Sequence, residues 1–143
     1  MATKTVLVTS GTTWAIPTDL DRLSNVTVTC IGAGAGGSSG INLGSVVSGG
    51  GGGWSQSSIS LRGVSTVYVN VGAGGLGGPS GSGSGDPGDL GGNGGDTWLN
   101  KAANSAPSSA TNGALAKGSD QNTGGEIALA IGDTKYSGGV GQS

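Results

Sequence analysis

The sequence predicts an all-β fold, a small β-sandwich or jelly-roll-like domain whose glycine-rich excursions form polyproline II helices. Short runs alternate apolar and polar residues with period two, turn residues separate them, and glycine is concentrated in two blocks that each begin where such a run ends. One domain over 1–143 is expected, with a strand scaffold at about 4–71 and 96–136 and excursions at 32–53 and 72–95.

The alternation starts at Thr5-Val6-Leu7-Val8-Thr9 and resumes around Trp14-Ala15-Ile16 before Pro17 stops it. Val26-Thr-Val-Thr-Cys-Ile31 follows, with Val26, Val28 and Cys30 on one face. A strand over Ser57 to Leu61 puts Ile59 and Leu61 together. Val67-Tyr-Val-Asn-Val71 turns its three valines inward and Tyr68 and Asn70 outward. Shorter strands are expected at Asp96 to Leu99, Glu126 to Ile131 and Thr134 to Tyr136. Asp19-Leu-Asp-Arg-Leu23 is the one helical candidate, short and placed where a turn joins two strands. Ala102 to Lys117 contains Pro107 and Gly113 and reads as a loop.

Glycine fills 34 of 143 positions while Val, Ile and Leu together fill 27 and Phe is absent, so side chains alone make a thin core. Either the glycine stretches are disordered or partner chains supply further burial. Six basic against eight acidic residues leave a net charge of −2, well short of the charge that accompanies disorder. The few cations form no stripe, which excludes electrostatic nucleic-acid binding. No apolar run approaches the roughly 18 residues of a membrane span, so membrane insertion is not expected. MATKTVLVTS lacks the charged-then-apolar layout of a signal peptide. Cys30, the single cysteine, has no internal disulfide partner and reads as a small buried hydrophobe.

The two glycine blocks are related. Ile31-Gly-Ala-Gly34 repeats as Val71-Gly-Ala-Gly74 at an offset of 40 residues, and Gly37 repeats as Gly77. Glycine recurs every third residue at 72, 75, 78 and 81 and, after one slip, at 85, 88, 91 and 94. Three residues per turn is the polyproline II period, and glycine along one edge lets neighbouring backbones approach and pair. A collagen triple helix fits poorly, because the repeat breaks and prolines are few.

Several patterns suggest chemistry and fail on context. Gly32-x-Gly34-x-x-Gly37 follows a strand as a dinucleotide turn does, but no helix pattern follows it and no acidic residue lies between Asp21 and Asp86. Gly91-Gly-Asn-Gly-Gly-Asp96-Thr-Trp98-Leu99 fits the calcium-binding nonapeptide of β-rolls, yet occurs once where the motif works by stacking. A glycine turn is the preferred reading, with weak calcium binding at Asp86, Asp89 and Asp96 left open. The chain has no histidine, which removes the usual base near neutral pH and any Ser-His-Asp arrangement. Asp19 with Asp21, or Asp86 with Asp89, could pair for glycoside hydrolysis, but carboxylates in turns are usually solvated. No catalytic residue and no cofactor is expected. Trp14, Trp54 and Trp98 each border a strand, where covering the sandwich is preferred over stacking on sugars.

Lys4-Thr-Val-Leu-Val-Thr-Ser-Gly-Thr-Thr-Trp14, Pro17, Val26-Thr-Val-Thr-Cys-Ile-Gly, Gly49-Gly-Gly-Gly-Gly-Trp54-Ser-Gln, Thr66-Val-Tyr-Val-Asn-Val-Gly-Ala-Gly-Gly75 and Gly94-Gly-Asp-Thr-Trp98 occur in that order. They resemble the glycine-rich domain of bacteriophage tail-fibre and other virion proteins over Lys4 to about Asn100. The resemblance implies a β-sandwich bearing sheets of polyproline II helices at a fibre tip or virion surface, in a protein made in the host cytoplasm. Family members often continue with further glycine runs. Gly138-Gly-Val-Gly-Gln-Ser143 reads as the opening of one, in either a compact version or the ordered part of something longer.

The expected function is that of a non-enzymatic virion component. It would self-associate, as a trimer within a fibre, bind other virion proteins, and touch a bacterial surface glycan or outer-membrane receptor. Loops such as Ile41 to Val47 and Ala102 to Lys117 would carry that contact. Trp54, Trp98, Asn42 and Asn104 are the candidate contact residues. The alternative is a free carbohydrate-binding or ice-binding module.

Overall fold

Seven strands form in chain order: β1 (Thr13–Ala15), β2 (Asn25–Ile31), β3 (Trp54–Ser60), β4 (Thr66–Asn70), β5 (Thr97–Asn100), β6 (Gly113–Ala116) and β7 (Thr134–Tyr136). The computed structural model describes residues 4–39, 48–79, 90–121 and 123–142. One antiparallel sheet has the order β1-β4-β5-β6 and the other the order β2-β3-β7.

Alternation along the strands builds the space between the sheets. Ile59, Leu61, Val67 and Val69 are buried with Ile16, and Trp14, Val26, Val28 and Leu99 pack against them. Cys30 forms a second cluster with Ala114 and Ala116. Two serines of β3 also face inward where the core is thin. Ser57 Oγ donates to the Gly113 carbonyl at 2.7 Å, and Ser55 Oγ donates to the Ile131 carbonyl. Those bonds tie the sheets together and satisfy hydroxyls that would otherwise be costly to bury.

Five sequence expectations change. Thr5 to Thr9 forms no strand, and Val6 and Leu7 are 44% and 85% exposed. Its alternation marks a side that could be buried, but a ladder also needs a partner edge. Glu126 to Ile131 contains a 3₁₀ turn, Ile127–Leu129, and only Ile131 bridges to Leu115, through bonds of 2.8 and 3.0 Å. Asp19 to Leu23 is a turn rather than a helix, held as Arg22 donates to the carbonyls of Val64 and Ile16 at 3.0 and 3.2 Å. The expected loop over 102–117 contains β6, whose Gly113-Ala-Leu-Ala is buried at every position. Val71 also departs from its expected inward place, at 38% exposure just past the end of β4.

The glycine segments are hydrogen-bonded to one another outside any strand, in steps of three. From 32–37, Gly32 and Ala35 donate to Gly53 and Gly50 at 2.8 and 2.9 Å, while Ala33 and Gly36 donate to Gly95 and Gly92 at 3.0 and 2.9 Å. The carbonyls of Gly34 and Gly37 accept from Gly75 and Gly78, both at 2.9 Å. Residues three apart therefore meet the same neighbour. The two repeats, 32–37 and 72–78, run side by side in parallel.

The same step governs where glycine is required. A β-carbon at Gly72 or Gly75 would strike the carbonyl of Gly95 or Gly92, and one at Gly138 or Gly141 would strike that of Gly51 or Ser48. Gly74, between the first pair, faces open space. Close backbone approach, rather than turn geometry, is what glycine provides here.

Candidate functional site

The motifs that suggested chemistry are built into this backbone network. In the dinucleotide-like stretch, the amides of Gly32, Ala33, Ala35 and Gly36 donate to carbonyls within the chain. A phosphate cradle needs such N–H groups free and aimed outward. At the repeat, Gly72 N–H donates to Thr97 Oγ1 at 3.0 Å and Gly75 N–H to Gly34.

The nonapeptide-like stretch is similarly committed. Gly92 and Gly95 donate back to Leu76 and Ala73 at 2.7 and 2.8 Å. The Asp96 carboxylate pairs with the Lys117 ammonium and accepts from the Gly118 N–H at 2.9 Å. Asp86 and Asp89 lie outside the described residues. Among the described residues, no group of three or more His, Cys, Asp or Glu side chains is placed to hold a metal ion. Asp96, Lys117, Asp120 and Glu126 border a polar cleft of about 290 Å³.

Asp19, Asp21 and Cys30 are tuned away from proton transfer near neutral pH. Asp19 is held below the usual carboxylate range by its hydrogen bond and ion pair with Lys4, 3.1 Å away on the surface. Asp21 is lowered by accepting from the Leu23 N–H and the Ser24 hydroxyl, both at 2.9 Å. Neither has the raised pKa of a general acid. Burial pushes the Cys30 thiol up to about 11, the opposite of a reactive thiolate.

The two candidate contact tryptophans lie on different sheets. Trp54 opens β3 and lies on the outer face of the three-stranded sheet, because its neighbour Ser55 points inward and is buried. Tyr136 of β7 sits opposite it in register, with ring centroids 5.3 Å apart and planes at 44°. Trp98, half-buried in β5, is flanked in register by Asn70 and Leu115 on the other sheet. Asn104 is exposed in the connection between β5 and β6. Asn42 and the loop around it lie outside the described residues. Sequence reasoning missed Tyr136, since the partner of Trp54 depends on strand register across 82 positions (136 − 54).

The glycine-rich domain family model matches residues 6–143. The chain belongs to the glycine-rich domain family. The match spans the seven described strands, the sequence of both glycine blocks and the tail over 138–142. No curated protein and no solved structure matches the chain.

Proposed function

We propose that this glycine-rich domain is a non-enzymatic structural and adhesive component of a bacteriophage virion, displayed on a tail fibre or surface fibre and contacting a bacterial surface glycan or outer-membrane receptor. The observation that carries this reading is the packing of glycine backbones in steps of three, which would make a stiff, extended scaffold of polyproline II helices with few side chains to spare for chemistry. The ordered resemblance to virion proteins supplies the setting. Trp54, Trp98, Asn104 and Asn42 are the proposed receptor contacts.

Self-association belongs to this reading, as does contact with other virion proteins. An open cavity of about 640 Å³ borders β2, lined in part by Val8, Val26, Val28, Val69 and Leu99. β2 is the last strand of its sheet, and no described strand pairs with its outer edge. A second copy supplying a strand there would finish burying the partly exposed Val8, Val26, Val28 and Leu99 and complete the thin core.

Light scattering on the purified protein, with immunogold electron microscopy of phage particles, tests the proposal. A defined oligomer, trimeric if it belongs to a fibre, and label at the particle surface are expected. A stable monomer absent from particles would favour the free binding module instead. That second reading draws on the small hydroxyls of Thr27, Thr29, Ser58 and Ser60 along the outer sheet face.

A further inference from the structure

Two adjoining rows of side chains cross the outer face of the three-stranded sheet. Strand register sets Ile31, Trp54 and Tyr136 abreast on β2, β3 and β7, and sets Thr29, Gln56 and Thr134 abreast in the next row. The alternating residues Cys30, Ser55 and Ser57 are buried, so these six side chains point away from the core. Ile31 is 64% exposed and Tyr136 62%. In the second row, Gln56 Nε2 donates to Thr29 Oγ1 at 3.0 Å, which fixes the amide across the strands. No side chain in either row carries a charge at neutral pH.

We propose that this face binds a neutral oligosaccharide, with Trp54 and Tyr136 stacking on the C–H faces of sugar rings while Thr29, Gln56 and Thr134 hydrogen-bond sugar hydroxyls. It rests on the receptor-contact reading above and gives that contact a location and a chemical class. An aromatic pair beside a row of hydroxyls and an amide matches a ligand that is apolar on its ring faces and polar around its rim. A purely apolar partner would bury the second row without satisfying it, at a desolvation cost that sugar hydroxyls avoid. The absence of charge gives phosphorylated, sulfated or sialylated chains no counterion.

Geometry narrows the ligand further. The first row spans two strand spacings, roughly 10 Å, which suits a short oligosaccharide rather than one ring. The 44° between the aromatic planes suits a chain that turns from one sugar to the next better than a flat crystalline polymer.

Neutral hexasaccharides of glucose, mannose, galactose and N-acetylglucosamine, with a sialylated chain as the charged control, would be titrated against the full chain by ligand-observed NMR and calorimetry. At least one neutral hexasaccharide should bind, Tyr136→Ala and Trp54→Ala should each weaken it about tenfold or more, and Leu23→Ala, at an exposed apolar residue just before β2 and away from Ile31, should leave it unchanged. Tyr136 is exposed enough for its variant to fold, which circular dichroism would verify. No binding by any neutral chain, binding only of the sialylated one, or binding that survives both aromatic substitutions overturns the proposal. A change in oligomer mass on Tyr136→Ala without saccharide binding also overturns it, identifying the face as a contact between copies. Saccharide binding lost on Tyr136→Ala in a protein absent from particles would keep the platform and remove the virion reading; the reverse pattern would do the opposite.

Discussion

The hydroxyl of Ser119 donates to the Gly50 carbonyl at 2.6 Å and accepts from the Ala35 N–H at 2.6 Å, so one side chain fastens two glycine segments. Its own backbone adds two bonds, from Ser119 N–H to Ala33 at 3.0 Å and from Gly94 N–H to Ser119 at 2.8 Å. The residue is 1% exposed. In a network held mainly by backbone groups, this hydroxyl is a buried junction.

Ser119→Ala should therefore lower unfolding free energy by about 0.5–1.5 kcal/mol, since the Gly50 carbonyl and the Ala35 N–H lose the hydroxyl and keep only their bond to each other. Ser119→Thr should be no better, because its extra methyl has no room in a packed site. Chemical denaturation followed by tryptophan fluorescence would measure both. A midpoint unchanged in Ser119→Ala would contradict the junction.

Neighbouring glycines should respond in opposite directions. Gly75→Ala places a methyl against the Gly92 carbonyl, a backbone group that cannot swing aside, and should cost on the order of 3 kcal/mol or abolish folding. Gly74→Ala meets nothing, and Gly74 is not among the positive-φ glycines, so it should be neutral or stabilising by about 0.4–1 kcal/mol through the unfolded chain. Thermal melts of the two variants would decide; equal losses would remove the three-residue facing of the segments.

Arg22 should resist conservative replacement. Its guanidinium reaches the Ile16 and Val64 carbonyls at once, joining the turn after β1 to the one before β4. Arg22→Ala should cost about 1.5–3 kcal/mol, and Arg22→Lys should recover less than half, because an ammonium lacks the planar fork. Denaturation midpoints of the pair provide the measurement.

Stability should decline at alkaline pH through Cys30. Its folded pKa is raised to about 11 by burial, so the unfolded thiol ionises first. The contribution is complete below the ordinary thiol value of about 8.5 and is lost as pH rises from there towards the folded value, by about 3 kcal/mol in all. Other groups titrate in that window, so the relevant quantity is the difference between wild type and Cys30→Ala, which should shrink or reverse with rising pH. A parallel pH profile for the two proteins would refute it.

Period-two alternation was enough to locate β1, β2, β4 and β7 and the inward faces of Val26, Val28, Ile59 and Val67, because alternation is a local property of an extended chain. It also marked Thr5 to Thr9 and Glu126 to Ile131, where the outcome depended on whether a partner edge was within reach. β6 left no such signal: Gly-Ala-Leu-Ala has weak strand preference and pairs because Gly113 alone fits against the Leu99 carbonyl. Trp54 could be singled out by type, whereas Tyr136 beside it could not.

By itself, the sequence determined that this protein is β-structured, thin in side-chain core and marked by period-three glycine in its second glycine block, since those are properties of neighbouring residues. Only the tertiary structure decided which glycines face a carbonyl, which serine joins the segments and which aromatic rings share a sheet face. Those pairings form between residues far apart along the chain, and their register is settled by backbone hydrogen bonds that no local pattern encodes.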